Sequence, residues 1–150
     1  ITKYFKTFPK IKIFLDTLGD SGKRTGMIRT FPPFSRVRWF DSWTPKMYND
    51  ESKFMELGSI ERASKNTPIQ GSSADMTKLA LVYIYKKIKS ESLPVKIVMT
   101  VHDQIDTICP ESFAEEWKVL MTEEMNRAAK VIIPNGLLKS ETSITKKWSK

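Results

Sequence analysis

The residues best suited to chemistry stand at the end of an apolar run, where His102 and Asp103 follow Val101 and precede Gln104. An aspartate on a tight turn is held by its strands and exposed by the turn, which suits a carboxylate that must hold a divalent cation. Magnesium favours hard oxygen donors and keeps several waters, so one or two protein carboxylates suffice. By itself, Asp103 also fits a turn residue that caps its own backbone. About thirty residues upstream, Arg62, Asn66 and Gln70 recur every four positions and would line one helix face. All three donate hydrogen bonds, and Asn and Gln also accept. Such groups match the minor-groove acceptors common to every correct base pair, purine N3 and pyrimidine O2. A solvated helix face is the plain alternative for each.

The surrounding elements must position these groups. Tyr4, Phe8, Ile11, Leu15 and Leu18 predict an amphipathic helix over 1–18, with a break or restart at Pro9. Gly19, Gly22 and Gly26 punctuate the next stretch, and residues 27–30 read as a short strand ended by Pro32-Pro33. Residues 31–58 read as an irregular, aromatic-rich insertion with Arg36 and Arg38. Its aromatics would either stack bases or pack a loop on the core, and the packed loop is the favoured reading from the residues alone. A helix over 59–67 is expected to break at Pro68, with a second helix from 70 to 89 presenting Met76, Leu79, Ala80, Tyr83, Ile84 and Ile88. Residues 95–101 have apolar side chains on both faces, which predicts a strand central in its sheet, with 105–108 as its hairpin partner. Residues 111–130 predict a helix with acidic residues at its start and Arg127 and Lys130 at its end. A turn at Pro134-Asn135-Gly136 would lead to a final strand near 137–144.

The chain of 150 residues is the size of one domain, and 40% hydrophobic residues fit a folded one. Lys and Arg number 25 against 17 Asp and Glu, a net charge of +8 that points to a polyanion, nucleic acid before anionic membrane. A single cysteine, Cys109, excludes an internal disulfide or cysteine-rich zinc site, and a single histidine excludes a multi-histidine metal site. No apolar stretch approaches the ~18 residues of a membrane span. An intracellular location is expected. The N-terminus alternates Lys with aromatics and lacks a signal peptide's apolar core. A start on Ile1 suggests a processed or excised piece of a longer protein.

The pattern Glu61-Arg62, Asn66, Pro68, Gln70-Gly71, Ala74-Asp75, followed by Val101-His102-Asp103, resembles the C-terminal palm and fingers region of family A DNA polymerases, the bacterial DNA polymerase I group. Weaker similarity extends to Tyr4-Phe5, Phe8-Pro9, Gly26, Thr30, Leu137-Leu138 and Trp148. The resemblance implies an α/β (α+β) palm portion, with a small antiparallel sheet carrying the His-Asp hairpin against helices. It implies that Asp103 is a catalytic metal ligand, that His102 contacts the primer terminus, and that Arg62, Asn66 and Gln70 grip the duplex. It also implies two magnesium ions, primer-template DNA and deoxynucleoside triphosphates.

The chain departs from the family in three places. Gln104 stands where Glu is usual; it can hydrogen-bond a metal-bound water but brings no charge. Asp106 would share its strand face. Pro32-Pro33-Phe34-Ser35-Arg36-Val37-Arg38 replaces a basic Gly-Arg-Arg-type stretch. The first aspartate motif and the helix that grips the triphosphate are absent, so they are expected upstream or on a second polypeptide, and this chain alone is expected to be inactive. The expectation is therefore a C-terminal part of a template-directed polymerase. The alternative is a non-catalytic primer-template DNA-binding module derived from one, and a basic structural domain is the blandest reading. The divergent motif and insertion suggest a phage enzyme working in a bacterial cytoplasm, with an organellar one as the other source.

Overall fold

The computed structural model describes residues 2–136 and 138–147. It is a mixed α/β structure with two small antiparallel sheets, and it divides into two units, Ile1–Ser72 and Ser73–Lys150.

In the first unit, α1 (Thr2–Thr7) and α2 (Pro9–Thr25) are separate helices. Pro9 restarts the chain at a position where its missing N–H costs nothing. Sequence reasoning ended α2 too early, because Gly19 and Gly22 lie inside it. They are there for contact. A Cβ on Gly19 would come within 2.7 Å of Glu61 Cγ, and one on Gly22 would overlap Ser64. The helix ends at Gly26, whose φ of 70° is a left-handed cap. Strands β1 (Met27–Arg29) and β2 (Val37–Trp39) pair antiparallel with Ile28 opposite Arg38. β2 thus lies inside the segment expected to be irregular. The rest of that segment forms two short 3-10 helices, Pro45–Asn49 and Glu51–Lys53. Its aromatics divide: Trp43 covers Gly26 and donates to Lys23 O at 2.7 Å, whereas Phe34, Trp39 and Tyr48 are exposed.

The expected break at Pro68 does not occur. Helix α3 runs from Phe54 to Ser90 with Pro68 inside it, contributing residues up to Ser72 to the first unit. An interior proline costs a helix about 3 kcal/mol or more through its lost hydrogen bond and the ring clash. Burial is what holds this one in place. Ile60, Ser64, Pro68 and Ser72, four apart, form the inward stripe of the helix, and all are buried. Ser72 Oγ accepts from Phe31 N at 2.8 Å, and Arg38 donates to Thr67 Oγ1 at 3.0 Å, fastening the loop before β2 and β2 itself to the helix on either side of the proline.

In the second unit, Ala80, Ile84 and Ile88 of α3 pack with Val95, Ile105, Trp117, Met121 and Ala128 in one core. Burying each large side chain contributes roughly 1.5–3 kcal/mol. Strands β3 (Lys96–Val101) and β4 (Gln104–Ile108) form a hairpin with Val101 opposite Gln104 and a bulge between Ile97 and Met99. β3 is not central, as its apolar run predicted. Its only ladder partner among the described residues is β4, and Val98 is 58% exposed. A 3-10 turn (Glu111–Phe113) leads into α4 (Ala114–Ile132), which continues two residues past the expected end. Trp117 of α4 donates to Thr107 Oγ1 of β4 at 2.8 Å.

The turn at Pro134-Asn135 is closed by Gly136 N donating to Ile133 O at 2.9 Å. No final strand follows: residues 138–145 are irregular. Their polar groups bond to α4 instead of to a strand, Ser140 N to Asn126 Oδ1 at 2.8 Å and Thr142 to Thr122 at 2.7 Å. Leu137 and Trp148 lie outside the described residues.

Candidate functional site

The two sets of candidate residues belong to different units. Arg62, Asn66 and Gln70 are in the first, and His102, Asp103 and Gln104 are in the second.

The first set is held by α3. Its inward stripe runs 60, 64, 68, 72, and two residues along a helix is a turn of about 200°. Arg62, Asn66 and Gln70 therefore face directly away from the packed side, and all three are exposed. Among the described residues none of them forms a hydrogen bond or ion pair, so their donors and acceptors are free for a ligand. The small residues opposite explain how the face is supported. Ser64 lets α2 approach through Gly22, and Gly71 lets Thr30 approach.

Beside this face, Glu61 pairs with Lys65 at 2.6 Å and with Lys23 of α2 at 3.1 Å. Lys65 and then Lys23, by hydrogen-bonding Glu61, hold its carboxyl below the usual glutamate range. The Glu61 carboxylate in turn raises Lys65. Through Lys23, Glu61 thus links α3 to α2. The glycines and serine that make this approach possible went unread in the sequence, although Gly19 and Gly22 at helical spacing opposite a small residue are the signal of a close helix contact.

The second set is held by the β3–β4 turn. Between the paired Val101 and Gln104 only two residues remain, His102 and Asp103. His102 has φ 55°, at the turn position where glycine is usual. A histidine held in left-handed backbone is a strained choice, and such strain clusters at functional sites. The turn leaves both His102 and Asp103 exposed. The side chain of Gln104 is less free: its Nε2 donates to Asp106 Oδ1 at 2.7 Å. Asp106 is the residue that strand alternation placed on the same face. Its other oxygen, Oδ2, is enclosed without a hydrogen-bond partner among the described residues.

Asp103, Gln104 and Asp106 line a cleft of about 1320 Å³ in the second unit, with Ser73, Trp117 and Ser140 on its walls. The available donors are hard oxygens, the kind magnesium takes. The described residues contain no group of three His, Cys, Asp or Glu able to enclose a metal. No helix among the described residues is long and apolar enough to cross a membrane.

A sequence model of DNA polymerase family A matches residues 1–150. The chain is 33% identical over 134 residues to DNA polymerase I of Caldicellulosiruptor bescii, covering 89% of this chain and 15% of that protein. It is 30% identical over 148 residues to the thermostable DNA polymerase I of Thermus filiformis, covering 99% of this chain and 16% of that one. Among solved structures it is similar to the POL domain of Pol1 from M. smegmatis in complex with DNA primer-template and dNTP. That match has a TM-score of 0.71 and 30% identity, and covers 83% of this chain and 21% of the other. The chain thus spans about one sixth of the length of the curated relatives it matches.

Proposed function

This chain belongs to DNA polymerase family A, and from that membership we propose that it is the C-terminal palm and fingers part of a template-directed DNA polymerase. It would add deoxynucleotides to a primer 3′ end by two-metal nucleotidyl transfer, with the remaining parts supplied by an upstream segment or a second polypeptide. Alone, it would be inactive. Residues 31–58 are proposed as an insertion within this part.

The observation that carries the proposal is the exposed Asp103 on a two-residue turn, in a chain that matches the family throughout. Bound magnesium lowers the pKa of the attacking hydroxyl and neutralises phosphate charge. Asp103 is the carboxylate of this chain that would hold it. His102, in the same turn, would contact the primer terminus. Arg62, Asn66 and Gln70 would bond the minor-groove acceptors of the paired duplex, a contact indifferent to sequence and sensitive to mispairing. The protein's share of catalysis is then placement and charge stabilisation.

Primer extension with magnesium tests this, on the chain alone and on whatever complex it co-purifies with. Extension by the complex that Asp103→Ala removes is expected. A second reading is a DNA-binding module without catalysis, favoured by the uncharged Gln104 beside Asp103. It requires salt-dependent duplex binding and no extension in any sample.

A further inference from the structure

We propose that Asp106 is a positioning residue for Gln104, one that turns the Gln104 amide into a fixed hydrogen-bond acceptor beside Asp103. The inference rests on the polymerase reading above and goes beyond it, since that reading gives Asp106 no part.

The argument begins with what each group can do. A primary amide has two ends, a donating Nε2 and an accepting Oε1, and on an exposed side chain they exchange places freely. An ionised carboxylate only accepts. Asp106 Oδ1 lies 2.7 Å from the Gln104 amide, so the end of that amide facing it has to be Nε2. A hydrogen bond to a charged acceptor is roughly twice as strong as one between neutral groups, which makes it an effective orienting contact. With Nε2 committed to Asp106, Oε1 is left as the acceptor that Gln104 can present to a donor at the turn. The donors relevant there are a water on a metal held by Asp103, or the hydroxyl of a primer.

The two residues are suited to unequal roles. Gln104 is exposed and adjoins Asp103, whereas Asp106 is half-buried and lies two residues into the strand. Between them, Ile105 is 6% exposed and belongs to the core of the second unit. That anchor fixes the β4 backbone from which both side chains project on the other face. Asp106 Oδ2 is enclosed, with no hydrogen bond among the described residues. A buried carboxylate oxygen left unpaired costs stability. A residue serving only the fold gains nothing from a charge at this position, while a residue that must accept from a neighbouring amide does.

The test is Mn2+ uptake by the assembled polymerase on primer-template DNA, followed by electron paramagnetic resonance of the free ion. Wild type is compared with Asp103→Ala, Gln104→Ala, Asp106→Ala, Asp106→Asn and the double Gln104→Ala/Asp106→Ala. Groups that orient a metal's immediate partners typically change affinity 10–100-fold, so Asp106→Ala is expected to weaken uptake about tenfold. Asp106→Asn, whose amide can donate to Oε1 as well as accept from Nε2, no longer dictates which end of Gln104 faces it, so uptake should weaken there too, by no more than in Asp106→Ala. In the Gln104→Ala background Asp106→Ala should add nothing, since there is no amide left to orient. Circular dichroism would show that each variant is folded.

Additive effects in the cycle would overturn the inference, since Asp106 would then act without Gln104, as would wild-type uptake by Asp106→Asn, which would show that an acceptor-only group is not needed. Uptake that Asp103→Ala leaves unchanged would overturn it too. Primer extension on the same samples separates the two claims. An intact cycle without extension keeps the positioning role and sinks the polymerase activity. Extension with an additive cycle does the reverse.

Discussion

Replacing Gly22 by alanine should test how the Arg62, Asn66 and Gln70 face of α3 is held. In an isolated helix this change would stabilise by about 0.8–1.0 kcal/mol, because glycine has more backbone freedom to lose. Here a Cβ would overlap Ser64 Oγ and stand 2.7 Å from Ser64 Cβ. Carbon atoms pack at about 3.5–4.0 Å, so the two helices must part by roughly 1 Å. Ser64 is fully buried, and its Cβ is fixed to the backbone and has no rotamer into which to retreat. Overpacking of this kind costs about 1–3 kcal/mol. The immovable Ser64 Cβ puts this case in the upper part of that range, about 2–3 kcal/mol, so the steric term exceeds the propensity gain by about 1–2 kcal/mol, or roughly 3–6 °C in the thermal midpoint of a chain this size.

The double variant Gly22→Ala/Ser64→Gly removes the obstructing atoms and returns a glycine to the other helix, so it should lie within about 0.5 kcal/mol of wild type. Thermal unfolding by circular dichroism reads both. Duplex affinity by fluorescence anisotropy should fall in the single variant and recover in the double, because Arg62, Asn66 and Gln70 ride on the displaced helix. A Gly22→Ala protein as stable as wild type would refute the reasoning, since it would mean the α2–α3 contact yields without cost.

Further outcomes are expected at other positions. Arg62→Ala should lower duplex affinity and reduce the slope of log affinity against log salt by up to about 1; an unchanged slope would remove Arg62 from the interface. Asp103→Ala should abolish extension while leaving duplex binding intact, as measured by extension and anisotropy side by side. Trp117→Phe should cost about 1–3 kcal/mol, from the lost bond to Thr107 and the space the smaller ring leaves in the core; chemical denaturation would measure it.

The pH dependence follows from Glu61, whose folded carboxyl is held low by Lys65 and Lys23. Its contribution is complete above the ordinary glutamate value of about 4.3 and is lost as pH falls through the lower folded value. Lys65, raised by Glu61, contributes in the opposite sense, fully below about 10.4 and declining as pH rises through its folded value. Glu61→Gln should therefore flatten the acid limb of a stability profile, and an unchanged limb would show that this pair is not coupled to folding.

Much of the fold was legible where one physical signal dominated. Apolar residues at helical spacing gave the α3 core stripe, charges placed to suit the helix dipole gave α4, and an apolar run ending in His102-Asp103 gave the hairpin. The misreadings arose where tertiary contact overrode local preference. Pro68 reads as a helix breaker until the buried stripe around it is known. Gly19 and Gly22 read as loop residues because their use lies in Glu61, Lys65 and Ser64, some forty residues away. The apolar faces of β3 implied two flanking strands, but among the described residues it has one. At the candidate site, face and spacing were readable for Arg62, Asn66, Gln70 and Asp103. Alternation put Gln104 and Asp106 together, but it did not show that one donates to the other.

The left-handed backbone of His102 has a consequence for laboratory selection. Glycine reaches φ 55° without steric cost, and asparagine more easily than histidine. A library varied at this position and selected only for heat resistance should drift to Gly or Asn, while the same library selected for copying DNA should hold His. Stability and activity would then pull one codon in opposite directions.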